Sequence, residues 1–303
     1  MRAVNETRKP RHFVIVNPVA GHGRCGRLFR GVRRELTRRG LDFDFHYTNE
    51  PLEAPDVAKM VIEEGFTDIV AMGGDGTINE VVNGMLDTGS DLPLAVIPAG
   101  SGNDFARMNR IPLDPVKAID VLLGGRHALT DVGSVNADQY FVNGLGIGLD
   151  AQVAKDVQSS THSRGAAAYL AAAIRQAFRF DAFPITLRSQ DWHQTFSCIS
   201  LGIANGRYVG GGFQMAPRAR VNDGLLDVCI VEDMPKAKRI VSLPKARKGT
   251  HLALPAVTYR QLKEVEVSSS GKLVAHIDGE PYRLPTESFH VRLCPQCLRL
   301  VVP

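Results

Sequence analysis

Apolar residues follow two rhythms along this chain, and the change between them divides it. In the first third, the runs at 12–16, 67–72 and 94–97 are apolar almost throughout, as parallel strands buried on both faces are. Between them Leu28, Val32 and Leu36 recur at helical spacing over about 24–39, and 55–64 and 79–86 read as two more helices. Residues 41–47 alternate apolar and acidic positions, predicting a further strand. Strands alternating with helices predict a doubly wound α/β domain over 1–131. From about Asp131 helical spacing becomes rare. Short alternating runs follow at 140–146, 185–188, 195–204, 226–231, 257–259, 264–267, 274–277 and 289–293. These predict a second, mainly antiparallel β-sandwich domain over 132–289, with the tail 290–303 returning to the first. The exception is an alanine-rich helix at 163–180.

Composition narrows the class. At 303 residues, 44% hydrophobic and 22% charged, the chain can bury a core in each of two domains. A net charge of +4 fits a nucleotide or an acidic membrane surface, and is too small to point to nucleic acid. Cys25, Cys198, Cys229, Cys294 and Cys297 are too scattered for a disulfide framework, so a reducing, cytoplasmic setting is expected. Cys294-Pro295-Gln296-Cys297 lacks the second pair that a zinc site of this type uses. Residues 1–12 are polar and basic with no signal core, and the helix at 165–180 is interrupted by Arg175 and too short for a bilayer.

Two loops carry the candidate chemistry. Gly73-Gly74-Asp75-Gly76-Thr77 joins a strand to the helical run Ile78-Asn79-Glu80, the arrangement that offers bare backbone N–H groups to a phosphate. A carboxylate there repels phosphate unless a cation intervenes, so Asp75 implies Mg²⁺ or a nearby lysine or arginine. Pro98 to Arg107 repeats the theme with Gly100, Ser101, Gly102 and Asp104. Loops on successive parallel strands face one crevice, so the active-site cleft is expected between the two domains. Gly21-His22-Gly23-Arg24-Cys25-Gly26 also satisfies GxGxxG, with Asp42 or Asp44 about 20 residues on. Four residues including Pro18 separate that run from the strand, so the tight turn of a dinucleotide fingerprint is lost. No GxxxxGK[ST] run exists.

Asn17-Pro18 with Gly21, Gly73 to Glu80, Pro98 to Arg107, Asn143 to Ala151, Gly206 to Gly212, Pro217 to Val228 and Ile277 to Pro281, in that order, resemble the diacylglycerol kinase family, which includes bacterial lipid kinases and sphingosine kinases. The resemblance implies ATP-dependent phosphorylation of a lipid hydroxyl. It places ATP on Asn17, Pro18, Val19, Ala20 and Gly21, on Thr48, on Gly73, Gly74, Asp75, Gly76, Thr77, Ile78, Asn79 and Glu80, and on Gly100 and Ser101. It implies that Asp75, Asp104 and Asp131 form an acidic network directed toward Mg²⁺. A structural Mg²⁺ would take the carbonyls of Arg220 and Leu225 and the side chain of Asp223, and Glu280 would be the general base. Many relatives carry lysine where this chain has His22, which leaves open whether His22, Arg24 or Arg27 meets the phosphates. The lipid would be met at a membrane surface, through the helix at 165–180 and the basic stretch at 236–248, by a protein peripheral to the inner face. The identity of the lipid and a homodimer stay open. A kinase of soluble acceptors sharing only GGDGT, such as an NAD kinase, and a non-catalytic lipid-binding protein are the alternatives.

Overall fold

The computed structural model describes residues 10–158, 166–271, 273–285 and 288–303. In chain order its elements are β1 (Arg11–Val16), α1 (Ala20–Arg38), β2 (Asp42–Tyr47), α2 (Ala54–Glu63), β3 (Asp68–Gly73), α3 (Asp75–Asp87), β4 (Leu94–Pro98), α4 (Asp104–Met108), α5 (Pro115–Gly124), β5 (His127–Val135), β6 (Gln139–Phe141), β7 (Gly144–Gly148), α6 (Leu149–Gln158), α7 (Ala166–Arg179), β8 (Phe183–Ser189), β9 (Trp192–Ala204), β10 (Leu226–Glu232), α8 (Lys236–Lys248), β11 (Val257–Leu262), β12 (Glu264–Ser268), β13 (Ala275–Ile277), β14 (Glu280–Tyr282) and β15 (Ser288–Val301). They fall into two compact units. One comprises the chain up to Gly100, Ile111–Ala128 and Arg299–Pro303; the other comprises Ser101–Arg110 and Leu129–Leu298. The expected lack of a signal core at 1–12 concerns residues mostly outside those described.

The first unit is a parallel sheet in the order β2, β1, β3, β4, with Leu300 of β15 parallel beside Leu94. Ile69, Val70, Ala71 and Met72 of β3 are fully buried, because both faces of the sheet are covered. Phe29, Val32 and Leu36 of α1 pack with Ile119 and Leu122 of α5 over Val14, Val16, Met72 and Ile97. On the other face, α2 and α3 present Val57, Val61, Ile78, Val81 and Met85. Helix α5 escapes the periodicity reading, although its ends are marked. Asp114 accepts from Lys117 N at 3.0 Å as N-cap, Pro115 opens the helix, and Gly125 closes it at φ 62°. Asp42 opens β2 and Asp44 pairs with Arg11 at 3.6 Å, so neither acid stands at the carboxyl end of β2, where a dinucleotide-binding unit places its ribose acid.

The second unit is antiparallel and sandwich-like. β9 pairs with β7, β8 and β10, β12 joins β8 to β15, and β13 joins β7 to β14. Phe141, Leu145, Phe183, Leu187, Phe196, Leu201, Val228 and Val267 fill its core. Helices α6, α7 and α8 pack together beside it. The alanine-rich helix begins at Ala166 among the described residues, and 163–165 lie outside them.

The basic stretch at 236–248 is a correction to the sequence reading, which placed no helix there. It forms α8, with Pro244 inside. Arg239, counted from sequence as part of a basic surface, is buried. Its guanidinium donates to Phe180 O at 2.6 Å, Met234 O at 3.0 Å, Ala177 O at 3.4 Å and Asp233 Oδ1 at 2.6 Å. A cation on the last carbonyls of α7 satisfies groups that the helix cannot satisfy itself.

Tight helix contact makes one glycine of the first unit indispensable. A Cβ on Gly84 of α3 would lie 2.4 Å from Pro55 O and 2.7 Å from Pro55 Cα, whereas a Cβ on Gly31 of α1 meets nothing within 4 Å. Gly84→Ala is therefore expected to lose about 1–3 kcal/mol in urea unfolding of the full chain, while Gly31→Ala gains about 0.5–1 kcal/mol. Equal stability of Gly84→Ala and wild type would refute this packing account.

Candidate active site

Three backbone turns lock together at the carboxyl ends of β1, β3 and β4. Asn17 N donates to Met72 O at 3.0 Å, and Asn17 Nδ2 donates to Thr77 Oγ1 at 3.0 Å. Val19 N donates to Asn17 Oδ1 at 3.2 Å, and Ala99 N donates to Gly73 O at 2.7 Å. Glycine is required by close approach: a Cβ on Gly21 (φ 58°) would fall 2.3 Å from Ala99 O, and one on Gly74 would fall 3.2 Å from Gly100 Cα. The result is a strip of bare backbone. α3 starts from it with Gly74 as N-cap and no side-chain cap, so its first-turn N–H groups are presented to an anion. These cradles, which a Cβ would fill, fit the phosphates of a nucleotide.

The residues assigned to ATP take distinct places in the first unit. Asp75 is the first residue of α3 and half-buried; Thr77 is buried behind it. Ile78 is fully buried, so only its backbone could serve a ligand. Glu80 accepts from Leu52 N at 3.4 Å, and the buried Thr48 donates its N–H to Val16 O at 2.9 Å. Pro18 and Ala20 are half-buried and Val19 is exposed. Gly21, His22 and Gly23 are all left-handed, with φ 58°, 60° and 76°. Arg27 folds back over this turn, its Nη1 3.3 Å from where a Cβ on Gly23 would stand.

In the second unit, carboxylates fasten backbone. Asp104 Oδ2 accepts from Gly211 N at 2.8 Å. Asp131, fully buried, accepts from Gln296 N on Oδ1 and Gly224 N on Oδ2, both at 2.8 Å, and thereby clamps two loops. Asp278 accepts from Val142 N, Asn143 N and Gly144 N, each at 2.8 Å. Asp278 and Gly279 both have positive φ, 51° and 92°, and form the two-residue turn between β13 and β14. Glu280 is thus the first residue of β14, exposed, its Oε2 accepting from Gln158 Nε2 at 2.7 Å. Ser101 is exposed. Arg220 and Asp223 are exposed on the loop held by Asp131, and Asp223 Oδ1 accepts from Leu225 N at 3.2 Å. Among the described residues no group of three His, Cys, Asp or Glu could hold a metal ion. Two carbonyls and one carboxylate on this loop are, by their donor chemistry, hard oxygen ligands of the kind Mg²⁺ takes.

Two pockets of the second unit meet at a residue that the sequence reading did not single out. One pocket is bordered by the carboxylates of Asp104, Asp150 and Asp278 together with Gly146, Gly206 and His276. A second, apolar one is walled by Leu149, Val153, Tyr169, Phe213, Leu243 and Leu254. Asp150, Val209 and Met215 belong to both. Ser200 Oγ donates to Asp150 Oδ1 at 3.1 Å, and His276 Nε2 stands 3.5 Å from Asp150 Oδ2. His276 Nδ1 accepts from Gly279 N at 3.1 Å, so the ring stands between Asp150 and the turn that carries Glu280. A Cβ on Gly146 would fall 2.3 Å from both Asp150 Oδ2 and His276 Nε2, which explains a glycine at that position. Asp131 and Glu280 do not line either pocket. Burial pushes the Tyr169 hydroxyl well above its ordinary range, with Asp150 and Asp104 adding to the effect.

Comparison with known proteins agrees with these blocks. Residues 11–135 match the diacylglycerol kinase catalytic domain, and residues 144–302 match the YegS C-terminal NAD kinase beta sandwich-like domain. The chain is 36% identical over 279 residues to the "Probable lipid kinase YegS-like" of Pseudomonas putida, covering 90% of each. It is 30% identical to the diacylglycerol kinase of Staphylococcus saprophyticus, covering 90% of this chain and 89% of that one. A crystal structure described as a diacylglycerol kinase of Bacillus anthracis shares the fold at TM-score 0.75 and 19% identity, over 98% of both chains.

His251, on the wall of the apolar pocket, has its pKa lowered from 6.5 by burial. The unfolded chain therefore takes up the proton first on acidification. The stability held by neutral His251 is complete above pH 6.5 and is lost as the pH falls below that value. Denaturation midpoints at about pH 7.5 and about pH 5.5 should separate more for wild type than for His251→Gln. Equal separation in both would contradict the assignment.

Proposed function

We propose that this chain, which belongs to the diacylglycerol kinase catalytic-domain family of lipid kinases, transfers the γ-phosphate of ATP to the hydroxyl of a lipid such as diacylglycerol. The observation that carries the lipid acceptor is the meeting of an apolar pocket with a carboxylate-lined one at Asp150. An acyl chain would be buried against Leu149, Val153, Phe213 and Leu243 while its polar end reached Asp150 and its neighbours.

Phosphoryl transfer asks the protein for positioning and charge compensation more than for covalent chemistry. The glycine strip and the first turn of α3 would hold the nucleotide's phosphates, and Arg27, lying over the turn at Gly23, would supply countercharge. Mg²⁺ would neutralise phosphate charge near Asp75, and the carbonyls of Arg220 and Leu225 with the Asp223 carboxylate would hold an ion on the loop of the second unit. Asp131 serves by holding that loop, since both its oxygens are engaged by backbone N–H groups. Glu280, oriented by Gln158, accepts the hydroxyl proton as the lipid oxygen bonds to the γ-phosphorus and the bond to ADP breaks.

The lipid would be drawn from a membrane surface. Leu170, Ile174 and Phe178 form an exposed apolar stripe on α7, at 42%, 38% and 49% accessibility. On the adjoining α8, Lys238, Val241, Lys245 and Lys248 are exposed at the spacing of one helix face. An apolar stripe beside a cationic face suits the boundary of an anionic bilayer.

Incubation with labelled ATP, Mg²⁺ and a total lipid extract should yield an organic-soluble phosphorylated product. Glu280→Gln should lower kcat by at least about 100-fold with ATP binding unchanged. A water-soluble product would favour the soluble-acceptor reading, and no product from wild type would favour a silent lipid-binding protein. In a second measurement, flotation with vesicles containing phosphatidylglycerol should recover the chain at low salt, and Phe178→Asp combined with Lys245→Glu should reduce recovery. Unchanged recovery would remove the α7 and α8 surface from the proposal.

A further inference from the structure

Five cysteines divide sharply by environment. Cys25 and Cys198 are 0% exposed and Cys229 is 1% exposed, and burial pushes each of these thiols up to about 12. Cys294 and Cys297 are only half-buried, and between them, within β15, Gln296 has a left-handed backbone at φ 51°. Cys297 Sγ donates to Cys294 O at 3.2 Å. Cys294 Sγ lies 3.7 Å from Ser134 Oγ, with Arg292 close by.

We propose that Cys294 and Cys297 are a redox modification site, a dithiol that closes reversibly to a disulfide on reaction with a peroxide or a small-molecule disulfide. Cys294 is the attacking sulfur and Cys297 the resolving one. The Cys297 thiol, the Ser134 hydroxyl and Arg292 all favour the Cys294 thiolate and hold its pKa down to about 6, while the Cys297 thiol is pushed up by its bond to Cys294 and by burial. With a peroxide, the Cys294 thiolate attacks one oxygen and the O–O bond breaks. The departing hydroxide takes a proton and leaves as water, and Cys294 becomes a sulfenic acid. The Cys297 sulfur then attacks the Cys294 sulfur, the S–S bond forms, and the sulfenic oxygen leaves as a second water with the Cys297 proton. Two thiols lose two electrons and one peroxide gains them. The Gln296 N–H that holds Asp131 lies inside the ring so closed, and Asp131 also holds Gly224. Oxidation therefore bears on the loop of Asp223 and Leu225.

The test is chemical and needs no turnover, so it stands apart from the kinase reading. In the native reduced chain at about pH 7, iodoacetamide should modify Cys294 at least tenfold faster than Cys25, Cys198 or Cys229, on the order expected for thiolate against buried thiol. Hydrogen peroxide should remove two hydrogens from the peptide that carries both cysteines, and dithiothreitol should restore them. In Cys297→Ser, the same treatment should leave Cys294 as a sulfenic acid captured by dimedone. Amide exchange at 221–225 should be faster in the oxidised chain. Failure of Cys294 to outpace the buried cysteines, or absence of both the cross-link and the dimedone adduct, overturns the site. Unchanged exchange overturns the link to Asp131.

Discussion

Three backbone N–H groups converge on the Asp278 carboxylate, and much of the second unit depends on that convergence. A buried carboxylate is costly unless it is saturated with donors, and each hydrogen bond to a charged group contributes about 1.5–3 kcal/mol. The three donors come from Val142, Asn143 and Gly144, at the start of β7, and the acceptor sits in a turn whose φ values favour Asp-Gly. The same contact therefore joins β7 to β13, sets the turn, and decides where Glu280 begins the returning strand.

Carboxylates act as fasteners elsewhere in this unit. Asp104 takes the Gly211 N–H, and Asp131 takes those of Gly224 and Gln296. Chains that must place loops without regular secondary structure have to satisfy the loop amides somehow, and a buried acid does so for two or three at once. Such loops are also stiff, which suits a reaction in which positioning supplies most of the effect. His276, bonded to the Gly279 amide, stands beside Asp150, where the carboxylate-lined and apolar pockets meet.

Some of this was legible in the residues. Apolar runs marked the strands of the first unit because parallel strands are buried on both sides, and glycines marked the phosphate-type loops because the close approach of Gly21 to Ala99 leaves no room for a Cβ. The two-domain plan followed from the change of apolar rhythm near Asp131, and the lipid kinase family from blocks spread over the chain. Helix α5 was missed although Asp114, Pro115 and Gly125 announce its ends. Helix α8 was missed for a physical reason: it carries a proline and a nearly continuous cationic surface, and the contacts that hold it, Arg239 on the end of α7 and Leu243 against α6 and α7, are tertiary.

By itself the sequence determined local matters: the strands and most helices of the first unit, where backbone must be bare, and which residue types could handle phosphate and a hydroxyl proton. Those follow from side-chain period, backbone sterics and intrinsic chemistry, all properties of neighbours in the chain. Only the tertiary structure decided that Asp150, Ser200 and His276 meet, that Asp131 is a clamp, and that an apolar pocket ends at a carboxylate. These partners lie from 50 to 165 residues apart along the chain. Their meeting is set by strand pairing and helix packing, which no local pattern records.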